Sequence, residues 1–266
     1  MDKVYVVGGR NMGQTMEGDQ DVLAAVARHV ASVIPTTDLL QHLEQPELDV
    51  PKLELLDLFL QELGWNKEQR RCVCTATAFA QMGLDFHENV NTDERLDEHK
   101  KRQRQLSILA GDFYSSHFYA LLADWGNIQL IPIIAQAISD VNQAKMRLHQ
   151  YVSVNISFQQ LLQEYTVIHS ALYAGFTRLD GRRGPLWKKL MERLIVAERA
   201  ATSPSGLTDR AVFTHPEWEK LLPSWLNEME QLIRQATAND GAAARLRERF
   251  FYVQKCIANL ASGVQG

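Results

Sequence analysis

The stretch Arg104-Gln105-Leu106-Ser107-Ile108-Leu109-Ala110-Gly111-Asp112-Phe113-Tyr114, continuing to Ala123, decides the fold. Leu106, Leu109, Ala110, Phe113, His117 and Leu121 recur at i, i+3, i+4, i+7, i+11 and i+15. That is the 3.6-residue period of one helix face, not the alternation of a strand. Asp93, Glu94, Asp97 and Glu98 come before it, followed by Lys100, Lys101, Arg102 and Arg104. Such a run suits a solvated helix surface whose charges pair with each other. The spacing predicts a helix over 97–123.

Outward from there, Ile131, Ile134, Ile138, Val141 and Leu148 repeat the period over 128–148. Pro132 falls in the first turn, where its missing N–H is harmless. Further helices are expected over 21–34, 52–63, 67–83, 158–175, 187–200, 217–237 and 240–262, with Pro216 opening one of them. Gly64, Gly126 and Gly175 follow periodic runs as stops. Residues 4–7 alternate like a strand but are too few to build a sheet. The loops at 180–185 and 203–206 are too short to mark a domain border. The expectation is one all-α helical bundle over 19–266, preceded by a flexible tail over 1–18, with Met16 an alternative start.

Composition agrees. Fifteen Gly and 8 Pro in 266 residues fall below average usage, so turns are few and elements long. An apolar content of 45% is ordinary for a globular chain. No apolar run approaches the roughly 20 residues that cross a bilayer, and no secretory signal opens the chain, so a cytoplasmic setting is expected. A net charge of −4, with no long basic block, argues against general nucleic-acid binding.

Several motifs fall short of the chemistry they hint at. Gly8-Gly9-Arg10-Asn11-Met12-Gly13 has the glycine spacing of a phosphate loop, but Gln14 stands where the lysine belongs. Cys72 and Cys74 are separated by one residue and Cys256 is remote, which reads as free thiols rather than a zinc site. His87-Glu88 begins a helical zinc motif whose second histidine is replaced by Asn91.

The informative pair is Gly83-Leu84-Asp85-Phe86-His87-Glu88-Asn89-Val90 and, about twenty residues later, Leu109-Ala110-Gly111-Asp112-Phe113. Together they resemble the trans-polyprenyl diphosphate synthases, whose first aspartate-rich helix reads H-D-D-x-x-D and precedes L-A-G-D-[FY]. The chain is more similar to a family of small partner subunits, heptaprenyl diphosphate synthase component 1. The similarity is strongest over 70–150. It implies an isoprenoid-synthase-type helical bundle.

Joining isopentenyl diphosphate to an allylic diphosphate requires ionising a C–O bond, and Mg²⁺ must neutralise the departing pyrophosphate. Hard Mg²⁺ takes carboxylate oxygens, which D-D-x-x-D supplies from one side of a helix. In this chain the corresponding positions are Glu88, Asn89 and Thr92, with His87 at the family histidine and Asp85 nearby. One carboxylate remains of three. No Asp occurs from 181 to 208, where the second motif is expected; Glu192 and Glu198 are six apart and share a face poorly. No catalytic or metal-binding residue is therefore expected in this chain.

The resemblance then implies a non-catalytic small subunit. It pairs with a large catalytic subunit, which carries the Mg²⁺ and elongates farnesyl diphosphate to the side chain of menaquinone. Dimerisation in this fold generally uses the L-A-G-D helix and the next one, here 105–123 and 128–149. Leu109, Asp112, Phe113, Tyr114, His117, Phe118 and Leu121 are the expected interface residues, and a homodimer is possible for the isolated chain. Two alternatives stand beside this. One is a stand-alone enzyme of the same fold with a diphosphate site rebuilt from Arg70, Arg71, Lys100, Lys101 or Arg102. The other is a helical adaptor unrelated to isoprenoids.

Overall fold

The computed structural model describes residues 17–33, 43, 46–88, 97–151, 156–202 and 206–261. Among these, every regular element is helical: α1 (Glu17–Val33), α2 (Val50–Glu62), α3 (Lys67–Glu88), α4 (Glu98–Asp124), α5 (Ile131–Tyr151), α6 (Phe158–Ala174), α7 (Gly184–Ala200), α8 (Leu207–Phe213), α9 (Pro216–Ala236) and α10 (Asp240–Ala261). Of the expected tail, residues 1–16 lie outside the described set, as do the strand-like 4–7 and the glycine-rich loop. Helix α1 opens at Glu17, inside the stretch expected to be tail. None of the described helices is long and apolar enough to cross a membrane.

Contacts sort the chain into two compact units, one from residues up to 57 together with 65–128, the other from 58–64 together with 129–266. In the first, α1 and α4 pack on α3. Helix α3 is buried without a break from Cys72 to Ala80. Apart from Phe79 its residues there are small, and its two buried hydroxyls stay satisfied within the helix: Thr75 donates to the Arg71 carbonyl at 2.8 Å and Thr77 to that of Val73 at 2.9 Å. Cys72 and Cys74 are buried free thiols, as read from the sequence, and Cys256 is half-buried. Burial pushes the Cys74 thiol well above its ordinary range.

In the second unit, α6 packs between α5 and α7, and α7 also meets α9 and α10. Trp187 is fully buried, donates its indole N–H to the Ala236 carbonyl at 2.9 Å, and meets Phe59 edge-on at 5.5 Å. The buried Glu62 carboxylate accepts from the backbone N–H of Ala238 and Asn239 and pairs with Arg183 at 2.9 Å, fastening the turn between α9 and α10. Ser157 and Gln160 form a reciprocal cap that starts α6.

Gly64 (φ 75°) and Gly126 (φ 70°) end their helices in the left-handed conformation expected of stops. Gly175 does not: its φ is −56°, and the chain runs on through it as a 3-10 turn to Leu179. A Cβ there would meet Ala137 and Ile133 at 3.7 Å, an ordinary contact distance, so neither a left-handed turn nor close packing requires glycine at this position. Helix α8 was not expected. Seven residues following a Ser/Pro/Gly loop are too few to show a period.

Candidate functional site

The two motifs quoted from the sequence meet at the α3–α4 contact. His87, in the last turn of α3, lies against Gly111 of α4. A Cβ on Gly111 would stand 2.6 Å from the His87 ring carbon and 2.7 Å from Nε2. Only glycine admits the imidazole so close. The same Nε2 lies 3.5 Å from an Asp112 carboxylate oxygen, and both side chains remain substantially exposed. His87 and Gly111-Asp112, far apart in sequence, thus form one joint. Asp85 accepts a hydrogen bond from Gln81 at 2.7 Å. Glu88 is exposed at the helix end. Asn89 and Thr92 lie outside the described residues.

Helix α4 has two apolar sides, and the structure distributes them differently from the sequence reading. Leu106, Ala110, Gly111, Tyr114, Phe118 and Leu122 face inward. Tyr114 stacks on Phe86 at 5.5 Å with the ring planes 9° apart. Tyr114 and Phe118 are 0% exposed and belong to the chain's own core, which corrects their expected place on a subunit interface. Leu109, part of the apolar period and expected at the subunit interface, is 59% exposed. Asp112 is exposed beside it, and Tyr119 is 46% exposed on the same outward side. Phe113, His117 and Leu121 are half-buried, with the Phe113 and His117 rings 4.1 Å apart.

The cations named for a rebuilt diphosphate site do not gather. Arg70 is 4% exposed and pairs with Asp57 at 2.8 Å inside the core, which removes it from that role. Arg71 lies over the Trp125 ring at 5.5 Å. Lys101 pairs with Glu98 on the surface, and Lys100 and Arg102 are exposed beside it.

The second unit contains a cavity of about 570 Å³ between α5, α6 and α7, which the sequence reading did not find. Val167, Ala171 and Ala174 supply an apolar wall, and Arg147, Arg178 and Lys188 approach it with Asp140, Asp180 and Glu192. Most of these charges already have partners. Arg147 grips Glu164 with two bonds of 2.7 and 2.8 Å. Asp180 accepts from the backbone N–H of Arg183 and Arg182, which holds its carboxyl below the usual range. Glu192 has the Lys188 ammonium at 3.8 Å, yet burial still pushes its carboxyl above the ordinary range. The one visible signal was Lys188 and Glu192 at i and i+4.

The other glutamate of α7, Glu198, is held by Arg249 of α10 through two bonds of 2.9 and 2.8 Å. Asp209, just beyond the Asp-free stretch, is buried; it accepts from Tyr165 at 2.7 Å and from Arg199 at 2.9 Å. Among the described residues no three His, Cys, Asp or Glu side chains gather as a metal site. The carboxylates of α7 face built-in cations, and that donor set does not fit a magnesium–diphosphate cage.

A profile of the family described as heptaprenyl diphosphate synthase (HEPPP synthase) subunit 1 matches residues 38–205. Heptaprenyl diphosphate synthase component 1 of Geobacillus stearothermophilus is 36% identical over 139 residues, which cover 50% of this chain and 59% of that protein. The matched region thus spans little more than half of that relative's length. In structure, the chain is similar to a decaprenyl diphosphate synthase from Rhodobacter capsulatus, with a TM-score of 0.65 at 12% identity over 88% of this chain and 96% of the other. A geranyltranstransferase from Thermotoga maritima gives 0.63 at 14% identity over 90% and 97%. A polyprenyl synthase from Caulobacter crescentus, complexed with calcium and isoprenyl diphosphate, gives 0.62 at 15% over 88% and 95%. At these identities the likeness shows the fold, which is that of the isoprenoid synthases. With the profile covering more than half of its length, the chain belongs to the heptaprenyl diphosphate synthase subunit 1 family.

Proposed function

We propose that this chain is the non-catalytic subunit of a two-chain polyprenyl diphosphate synthase and works in the cytoplasm. Its partner is a larger subunit that holds Mg²⁺ on intact aspartate-rich motifs. That partner elongates farnesyl diphosphate with isopentenyl diphosphate to the heptaprenyl side chain of menaquinone. The observation that carries this reading is the fate of the carboxylates. Glu198 is gripped by Arg249, and Glu192 is largely buried with the Lys188 ammonium at 3.8 Å, which argues against the two sharing a metal ion. Ionising an allylic diphosphate without such ions leaves the pyrophosphate charge unbalanced. The contribution of this subunit is then to support and shape its partner.

The outward side of α4, with Leu109, Asp112 and Tyr119, is the surface proposed for the partner, because exposed apolar residues on a helix already packed on its other side favour burial by a second chain. The test is reconstitution. The purified chain with Mg²⁺ and both diphosphates should form no long product, and product should appear on adding the large subunit. Chain elongation by this protein alone would overturn the proposal. Leu109→Glu with Tyr119→Glu should abolish co-purification with the large subunit while helical circular dichroism persists. Retained pairing would place the interface elsewhere.

A further inference from the structure

The cavity between α5, α6 and α7 is lined by three cationic and three anionic side chains, and four of the six are matched within the chain. Glu164 takes Arg147 through two bonds of 2.7 and 2.8 Å. Lys188 and Glu192 face each other at 3.8 Å. The Asp180 carboxylate accepts from the backbone N–H of Arg182 and Arg183 and lies 3.5 Å from the Arg183 side chain. One charge of each sign is left. Asp140 accepts from the neutral Gln136 amide at 2.8 Å, and Arg178 donates from Nε to the Gly175 carbonyl at 2.9 Å. Neither enters an ion pair among the described residues. The neutral polar lining is occupied as well. Ser170 and Thr177 donate to the carbonyls of Thr166 and Ala174, and the Gln143 amide donates to the Ser139 hydroxyl.

We infer that this cavity binds a small organic zwitterion with an apolar body, of the amino-acid or dipeptide class. The Arg178 guanidinium is tethered through Nε, so its remaining N–H groups are left for a ligand carboxylate, which suits their planar fork. Asp140 is left for an ammonium. Val167, Ala171 and Ala174 supply the apolar wall that the body would cover, and a volume of about 570 Å³ lies within the range of small-molecule sites. A ligand of single charge fits less well. An anion would face the unmatched Asp140, and a cation the unmatched Arg178, whereas a zwitterion is complemented at both ends. Asp140 is half-buried and Arg178 exposed, so the carboxylate is the better desolvated of the two and its contact the stronger. The site uses no residue of the proposed partner surface on α4.

The experiment is a ligand-observed NMR titration of the full chain without the large subunit, so its outcome is separate from that of the reconstitution assay. The probes are phenylalanine and leucylphenylalanine, whose two charges sit at different spacings, each with its N-acetylated and its amidated form. At least one zwitterion should bind, and blocking either of its charges should weaken binding about fivefold or more. Asp140→Asn should weaken it about tenfold and Arg178→Gln about fivefold, with circular dichroism unchanged. In Asp140→Asn, acetylation should cost little further affinity, because the contact it removes is already gone. Binding of neither zwitterion, a blocked form binding as tightly as its zwitterion, or binding unchanged by both substitutions would each overturn the inference.

Discussion

The α3–α4 joint carries the first motif read from the sequence, and α7 covers most of the stretch where a second was expected; the charges at the two places are arranged differently. At the joint the charge is sparse and exposed: Glu88 at a helix end, and His87 beside Asp112 at 3.5 Å. Between α7 and α10 the charge is buried and paired, with Arg249 only 5% exposed against Glu198 at 18%. At the joint the described carboxylates Asp85, Glu88 and Asp112 do not gather as a metal site. The other place keeps glutamates but supplies protein cations in place of metal ions. The difference matters energetically, because an exposed pair contributes little whereas a buried one becomes costly when a single partner is removed.

The largest expected effect is on the buried side. Arg249→Met leaves Glu198 without its bidentate partner and should destabilise the chain by about 3–5 kcal/mol in urea denaturation. Adding Glu198→Leu should recover most of that loss; if it does not, Arg249 matters through packing rather than charge. At the joint, Gly111→Ala puts a methyl into the His87 ring. The ring is half-exposed and can swing away, so the cost should be about 1 kcal/mol. His87→Ala in the same chain should remove it. A cost that survives the double change would locate the strain in the backbone.

The smallest effect concerns pH. Burial raises the Glu192 carboxyl above its unfolded value, against the opposing pull of Lys188. The folded state thus binds that proton more tightly, a stabilising contribution present at low pH and lost as pH rises through the raised value. Glu192→Gln should therefore be slightly more stable than the native chain near pH 7, with the advantage fading below about pH 4, the ordinary glutamate range. Melting temperatures across pH check the sign. A Glu192→Gln chain less stable at pH 7 would mean that the Lys188 pair outweighs the burial.

Much of the fold was legible because long helices repeat their signal. Apolar residues every third or fourth position located nine of the ten described helices, and Gly64 and Gly126 marked true ends. Helix α8 was missed because seven residues hold barely two turns of pattern. Gly175 looked like a stop because a glycine after a periodic run often caps a helix in the left-handed conformation, but its φ of −56° lets the chain run on as a 3-10 turn. The sequence alone does not separate the two.

The site was legible as chemistry but not as geometry. The missing carboxylates could be counted from Glu88, Asn89 and Thr92 and from the Asp-free stretch after 180. That Arg249 reaches Glu198, fifty-one positions earlier, depends on how α10 packs on α7.

What the sequence determined by itself was local and periodic. It specified long helices and showed where carboxylates are scarce, because helix period and carboxylate count are properties of neighbouring residues. Tertiary structure decided which side of α4 is core. Ile108, Leu109 and Ala110 are consecutive, so apolar residues surround the helix and more than one 3.6-residue stripe can be drawn through them. The choice fell to contact with α3, where Gly111 has no side chain to hold the helices apart and Tyr114 stacks on Phe86. The buried stripe therefore passes through Ala110, Tyr114 and Phe118, leaving Leu109 and Tyr119 on the outside.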